Sequence, residues 1–154
     1  MSFSHLDDSG QAHMVDVTGK EISQRSAIAT GQVHTTAEVI TALRSGSVAK
    51  GDALAVARIA GIQAAKRTSD LIPLCHPIAI HGVEVELGVE DESISIRATV
   101  RTADRTGVEM EALTVVSVAG LALIDMIKSI DPRARFSDIQ VESKSGGKTG
   151  EWRR

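Results

Sequence analysis

The stretch 107–130, GVEMEALTVVSVAGLALIDMIKSI, decides how the rest of the chain is read. At about 100° per residue, Leu113, Val116, Gly120, Leu123, Ile124 and Ile127 fall on one helical face, which predicts a helix packed on a core. A second stripe beside it, Glu111, Thr114, Val118, Leu121, Asp125 and Lys128, mixes ionisable with apolar side chains. A purely solvent-facing stripe would be more polar. The pattern therefore predicts that Glu111, Asp125 and Lys128 are partly withdrawn from water, where shifted pKa values make such groups usable near neutral pH.

Outward from this helix the chain alternates strands and helices. Gln24–His34 has strand-like alternation with Gly31 as a candidate bulge. Thr35 and Thr36 offer an N-cap for a short helix over 37–44, and Asp52 caps a second over 53–68 with a small-residue surface. The segment 69–77, SDLIPLCHP, holds two prolines four residues apart and so predicts a fixed loop. Two alternating runs, 78–89 and 92–103, joined at Glu90-Asp91, read as a hairpin. Asp131-Pro132 ends the long helix, and 136–143 is a last strand. The simplest architecture with this order is α+β, a ferredoxin-like antiparallel four-stranded sheet with helices packed on one face.

Composition sets the outer limits. The 154 residues, 42% hydrophobic, suffice for a single domain. We read 1–13 as a flexible tail, 14–150 as that domain, with 14–24 weakly anchored, and 151–154 as a C-terminal tail. Two Phe, one Trp and no Tyr leave the core to Val, Ile, Leu and Ala. A net charge of −3 argues against a nucleic-acid surface or an anionic membrane surface. The single cysteine excludes an internal disulfide and fits a reducing, cytoplasmic compartment. The apolar run 113–124 is shorter than a membrane span requires, and no secretory signal is visible.

Several residues invite chemistry, each with a plainer reading beside it. Cys75 and His76 lie between prolines, where an imidazole is aimed at little entropic cost; equally, they would serve as a small buried hydrophobe and a hydrogen-bonded loop histidine. Adjacent Cys-His supplies too few ligands for zinc, and His81 belongs to another element, so no metal site is expected. Asp125 and Lys128 are three apart and able to share a proton, although an exposed pair of this kind is ordinarily a surface salt bridge. Glu109 and Glu111 open the long helix, where the helix dipole alone would explain one of them. At about 1.5 Å per residue, Glu111 and Asp125 are roughly 21 Å apart. Both cannot touch one small substrate in one subunit, which predicts an oligomer if both are functional. Lys50, Lys66, Arg67, Lys128, Lys144 and Lys148 lie near loops or helix ends, as phosphate ligands do. The tail KSGGKTG is not a P-loop, because Glu142 stands where its first glycine belongs and no helix follows. Gly146-Gly147 remain able to turn backbone N–H groups toward an oxyanion.

Taken together, HMVDVTGK (13–20), KGDALAVARIAGIQAAKRTSDLIPLCHP (50–77), TGVEMEALTVVSVAGLALIDMIK (106–128) and KSGGKTG (144–150) resemble the molybdenum-cofactor biosynthesis accessory family, the cyclic pyranopterin monophosphate synthases. The resemblance spans nearly the whole chain. It implies conversion of (8S)-3',8-cyclo-7,8-dihydroguanosine 5'-triphosphate, made upstream by a radical enzyme, to cyclic pyranopterin monophosphate with release of diphosphate. It implies no tightly bound cofactor, with Mg²⁺ entering only on the substrate triphosphate or diphosphate product. It also implies a homohexamer, a trimer of dimers with sites where subunits meet. By position, the acid/base carboxylate of the family matches Asp125 and its essential lysines match Lys50 and Lys128. Substrate contacts match Leu74, Cys75, His76, Met110 and Glu111, and Lys66, Arg67 and Lys144 match further basic positions. Two other classes compete. An RNA-binding module would need stacked aromatics that this chain lacks, and a catalytically silent, oligomeric nucleotide-binding scaffold would bind the nucleotide and release it unchanged.

Overall fold

The alternation of small and β-branched residues in 23–34 produces the central strand, β1 (Ser23–His34). Ala27, Ala29 and Val33 point to one face and are fully buried, while the intervening residues are half-buried on the other. The computed structural model describes residues 5–148 and 150–154; Thr149, inside the glycine-rich tail, lies outside the described residues, as do residues 1–4 of the expected N-terminal tail.

After β1 come α1 (Ala37–Ser45), capped by the Thr36 side chain, and α2 (Ala53–Ala65), capped by Asp52. Helix α2 ends three residues before the expected Thr68, because Lys66 and Arg67 close its last turn; the one-turn helix α3 (Thr68–Leu71) follows within the stretch expected to be loop. The hairpin is β2 (Gly82–Val89) and β3 (Ser93–Asp104). Its first strand begins later than expected: 78–81 follows the end of β3 through His81 N–H to the Arg101 carbonyl and Thr102 Oγ1–H to the Ala79 carbonyl, outside the regular ladder. Helix α4 (Glu109–Ile127) and β4 (Arg135–Ser145) complete the predicted order.

The sheet is antiparallel throughout, in the order β2-β3-β1-β4-β5, where β5 is Trp152–Arg153. The first four positions are those of a split βαβ arrangement, as expected. The fifth strand corrects the four-strand reading: residues taken for a C-terminal tail pair with Ser143 and Lys144 on the β4 edge. The irregularity near Gly31 is present, but the extra residues belong to β4. Between Thr30↔Gln140 and Gln32↔Ser137 one residue of β1 faces two of β4, and Glu142 is a further unpaired insertion. Asp138, at this bulge, has φ of 57°.

Helix α4 is buried on two sides, which accounts for the apolar stripe and corrects its reading. Val116, Gly120, Leu123 and Ile127 form the sheet-side core as predicted, whereas Leu113 and Ile124 are only half-buried. Ala112, Val115 and Ala119 are fully buried too, and α2 packs along α4 closely enough that a Cβ at Gly61 would lie 3.0 Å from Val115 Cγ1. On the sheet side the Phe136 ring fills the space left by two glycines. A Cβ at Gly120 would come 2.7 Å from Phe136 Cε1, and one at Gly31 would come 2.8 Å from its Cε2. In a close-packed interior such distances leave no room for a methyl group.

With 19 residues and mean hydropathy 1.8, α4 is long and apolar enough to cross a membrane by length and composition alone. The expectation from the run 113–124 is corrected to that extent. Its packing between sheet and α2 accounts for its apolar character.

Candidate active site at the two ends of helix α4

Three predicted residues meet at the C-terminal end of α4. The Lys50 ammonium, on the loop before α2, lies 3.0 Å from Asp125 Oδ2 and donates to the Asp125 backbone carbonyl at 2.6 Å. Lys128 Nζ lies 2.7 Å from Asp125 Oδ1, one helical turn on. Lys50 therefore also satisfies a carbonyl that the end of the helix leaves without an intrahelical partner, and its charge complements the helix dipole there. Lys128 and Lys50 hold the Asp125 carboxyl below the usual carboxylate range.

The expected withdrawal from water is not what this chain provides here. The side chains of Asp125 and Lys128 are 57% and 58% exposed, and Leu121 in the same stripe is 62% exposed. The stripe bends away from both packed sides of the helix in its second half. The cluster thus presents a carboxylate acceptor between two ammonium donors on an open surface.

At the N-terminal end the reading of partial desolvation holds. Glu111 is 4% exposed, and its pKa is pushed up to about 7, first by burial and then by neighbouring Glu109. It is poised to lose or gain a proton near neutrality. A cavity of about 470 Å³ opens here, lined by Leu74, Cys75, His76, Met110, Glu111 and Lys144, all predicted site residues. The fixed loop thus delivers its side chains to the first turn of α4. Burial, and then Glu111, push the Cys75 thiol upward, so it remains protonated and is not a thiolate nucleophile at neutral pH.

Lys144 Nζ and Glu109 Oε1 are 2.8 Å apart, tying β4 to the start of α4. This pairing, rather than helix capping alone, explains Glu109. Gly107 permits it, since a Cβ there would collide with the Glu109 carboxylate. Lys66 and Arg67 are exposed beyond α2, form no side-chain hydrogen bond or ion pair among the described residues, and do not line this cavity.

Residues 5–20, expected to be a tail and a weakly anchored lead-in, fold over the cavity. Leu6 and Ala12 form an isolated bridge, and the Asp7 and Asp16 carboxylates each close a local turn. Val15, Val17 and Lys20 line the cavity, and His76 Nε2 bonds the Val15 carbonyl at 2.6 Å. Lys20 also lines a neighbouring cavity of about 620 Å³ with Ser23, Arg25, Gly147 and Lys148. The Ser23 hydroxyl there is buried without a hydrogen-bond partner, and the three cations face one carboxylate, Glu21. Sequence reasoning missed Lys20 and Arg25; their signal was the pair of basic residues in TGKEISQR, which runs into the start of the first strand. Gly146 and Gly147, considered for an oxyanion turn, have φ of 90° and 73°. They lie so close to the Gln24 carbonyl and the Arg25 guanidinium that side chains would not fit.

The fold and these clusters define an α+β domain whose long helix carries ionisable side chains at both ends, one set lining a cavity sized for a small molecule. Residues 14–147 match the model of the MoaC family. A protein of Streptomyces griseus named "Cyclic pyranopterin monophosphate synthase" is 60% identical over 151 residues, covering 98% of this chain and 85% of the relative. One of that name from a Nocardioides species is 57% identical over 154 residues, covering 98% and 94%. "Cyclic pyranopterin monophosphate synthase 2" of Mycobacterium tuberculosis is 58% identical over 151 residues, covering 98% and 90%. The chain belongs to the MoaC family.

Proposed function

We propose that this protein is a cyclic pyranopterin monophosphate synthase of molybdenum cofactor biosynthesis, a phosphorus–oxygen lyase acting on the cyclo-dihydroguanosine triphosphate in the cytoplasm. The observation that carries the reading is the pairing of Asp125 with both Lys50 and Lys128 at one end of α4 while Glu111 titrates near neutrality at the other. The chemistry needs such groups. The purine-derived ring must open and reclose as a pterin, and a sugar hydroxyl must attack the α-phosphorus and expel diphosphate.

At the ionic cluster Asp125 is the proton acceptor and the ammonium groups of Lys50 and Lys128 are the donors. Glu111 and His76 orient the guanine-derived ring in the cavity beside Leu74, Cys75 and Met110. The adjoining Lys20, Arg25 and Lys148, with Lys144, neutralise phosphate charge that grows as diphosphate leaves. Lys66 and Arg67 join this set from a neighbouring subunit. Mg²⁺ enters on the substrate's phosphates, with no tightly bound cofactor, and the substrate comes from an upstream radical enzyme.

The two ends are roughly 21 Å apart along one helix, so one substrate cannot touch both in one chain. A homohexamer, built as a trimer of dimers, would bring the Asp125 end of one subunit to the Glu111 end of another and withdraw the ionic cluster from water. A single-turnover assay with the cyclo-dihydro nucleotide, following diphosphate and pterin for wild type and Lys50→Ala, tests the reaction. Product from wild type alone supports it, and binding without product from either leaves a silent scaffold. Mixing inactive Asp125→Ala and Glu111→Ala chains tests the shared site: restored turnover supports it, and none returns each site to a single chain.

A further inference from the structure

His76 is held by a group from far along the chain, and the chemistry of that group decides which ring nitrogen is free. A carbonyl oxygen only accepts hydrogen bonds. With Nε2 2.6 Å from the Val15 carbonyl, Nε2 must carry the proton. In the neutral ring Nδ1 then keeps its lone pair, and it has no protein partner among the described residues.

The carbonyl is not placed by chance contact of a loose segment. Thr18 N–H and Oγ1–H donate to Asp16 Oδ1 at 2.8 and 2.7 Å, and Lys20 N–H donates to the Val17 carbonyl at 3.0 Å. Arg105 Nε, just past β3, donates to the Lys20 carbonyl at 3.0 Å and fastens the far end of the segment. Val15 and Val17 are half-buried against the cavity.

We propose that this N-terminal strap sets the tautomer of His76, so that Nδ1 is offered to the bound molecule as a hydrogen-bond acceptor. Arg105 is the positioning residue that keeps the strap in place. The ligand must accordingly present an N–H or O–H donor to this wall of the cavity, as an amino or ring N–H of a guanine-derived heterocycle does. The identity of that ligand rests on the synthase reading; the tautomer is a property of the chain alone.

The two are tested separately. In the full chain with ¹⁵N-labelled histidine, at a pH where the ring is neutral, the His76 signals are identified by their loss in His76→Gln. A protonated Nε2 with a bare Nδ1 is expected, and Arg105→Ala is expected to move both nitrogens toward tautomer-averaged shifts. A wild-type ring protonated at Nδ1, or already averaged, overturns the proposal; an unchanged ring in Arg105→Ala overturns the role of Arg105. The wild-type spectrum stands even if that variant fails to fold. In turnover, His76→Asn places its amide where Nδ1 stands and His76→Gln where Nε2 stands, so Asn should retain on the order of tenfold more kcat. Equal losses mean that Nδ1 is not used. A chain without synthase activity leaves the spectroscopic outcome untouched.

Discussion

The two ends of α4 carry similar residue types in opposite environments. At the C-terminal end Asp125 is more than half exposed, and two lysines hold it ionised. At the N-terminal end Glu111 is almost completely buried and titrates at about 7. The carboxylates sit on one continuous helix, so the difference comes from what covers each end. The fixed loop, the strap and β4 close over the first turn. The last turn buries Met126 and Ile127 but leaves Asp125 open to solvent, met from elsewhere in the chain by the Lys50 ammonium. A carboxylate is kept ionised by neighbouring cations and made a reversible proton carrier by burial, and this helix does one at each end.

The comparison breaks most visibly in activity. Asp125→Ala and Lys128→Ala should each lower single-turnover product formation by on the order of 10² to 10⁴-fold. The melting temperature of the single chain should move little, since exposed pairs contribute little to stability. Loss of the oligomer instead, seen by light scattering, would make this a structural pair.

Glu111→Gln sharpens the other side. The folded pKa lies above the usual carboxylate value of 4.5, so the proton is held more tightly in the folded protein. The wild type should therefore lose stability as pH rises from about 4.5 to 7, by up to about 3 kcal/mol. The neutral glutamine removes that loss: denaturation midpoints should agree near pH 4 and favour the variant near pH 8. Parallel curves at both pH values would show that Glu111 is not buried as an acid.

Between the two ends, Gly120→Ala probes the packing that keeps the helix in register. Its methyl group would meet the Phe136 ring, and urea denaturation should report a loss of about 1 to 3 kcal/mol. The smallest effect belongs to Arg44→Ala, which removes an ion pair to a fully exposed Asp91 side chain and hydrogen bonds to the Val89 and Glu90 carbonyls. Stability should change by no more than about 1 kcal/mol and activity not at all.

Much of the fold was legible because local signals agreed. Thr36 and Asp52 cap the helices they were expected to cap, the hairpin turns at Glu90-Asp91, and the strand order follows from the element order. What failed had no local signature. Residues 152–153 pair only because an edge of β4 awaits them, and the bulge expected at Gly31 moved to β4 because register is a property of two strands. The stripe on α4 was misread at Asp125 because periodicity reports that a side is apolar, not which neighbour covers it or for how many turns.

The sequence by itself determined most of the element order, the caps and the family, since each of these is written in short stretches. Only the tertiary structure decided that the strap belongs to the site, that His76 is protonated on Nε2, and that Glu111 rather than Asp125 is the buried acid. The reason is physical: burial and hydrogen-bond partnership arise between segments far apart in the chain, such as Val15 and His76, 61 residues apart, and no local pattern encodes them.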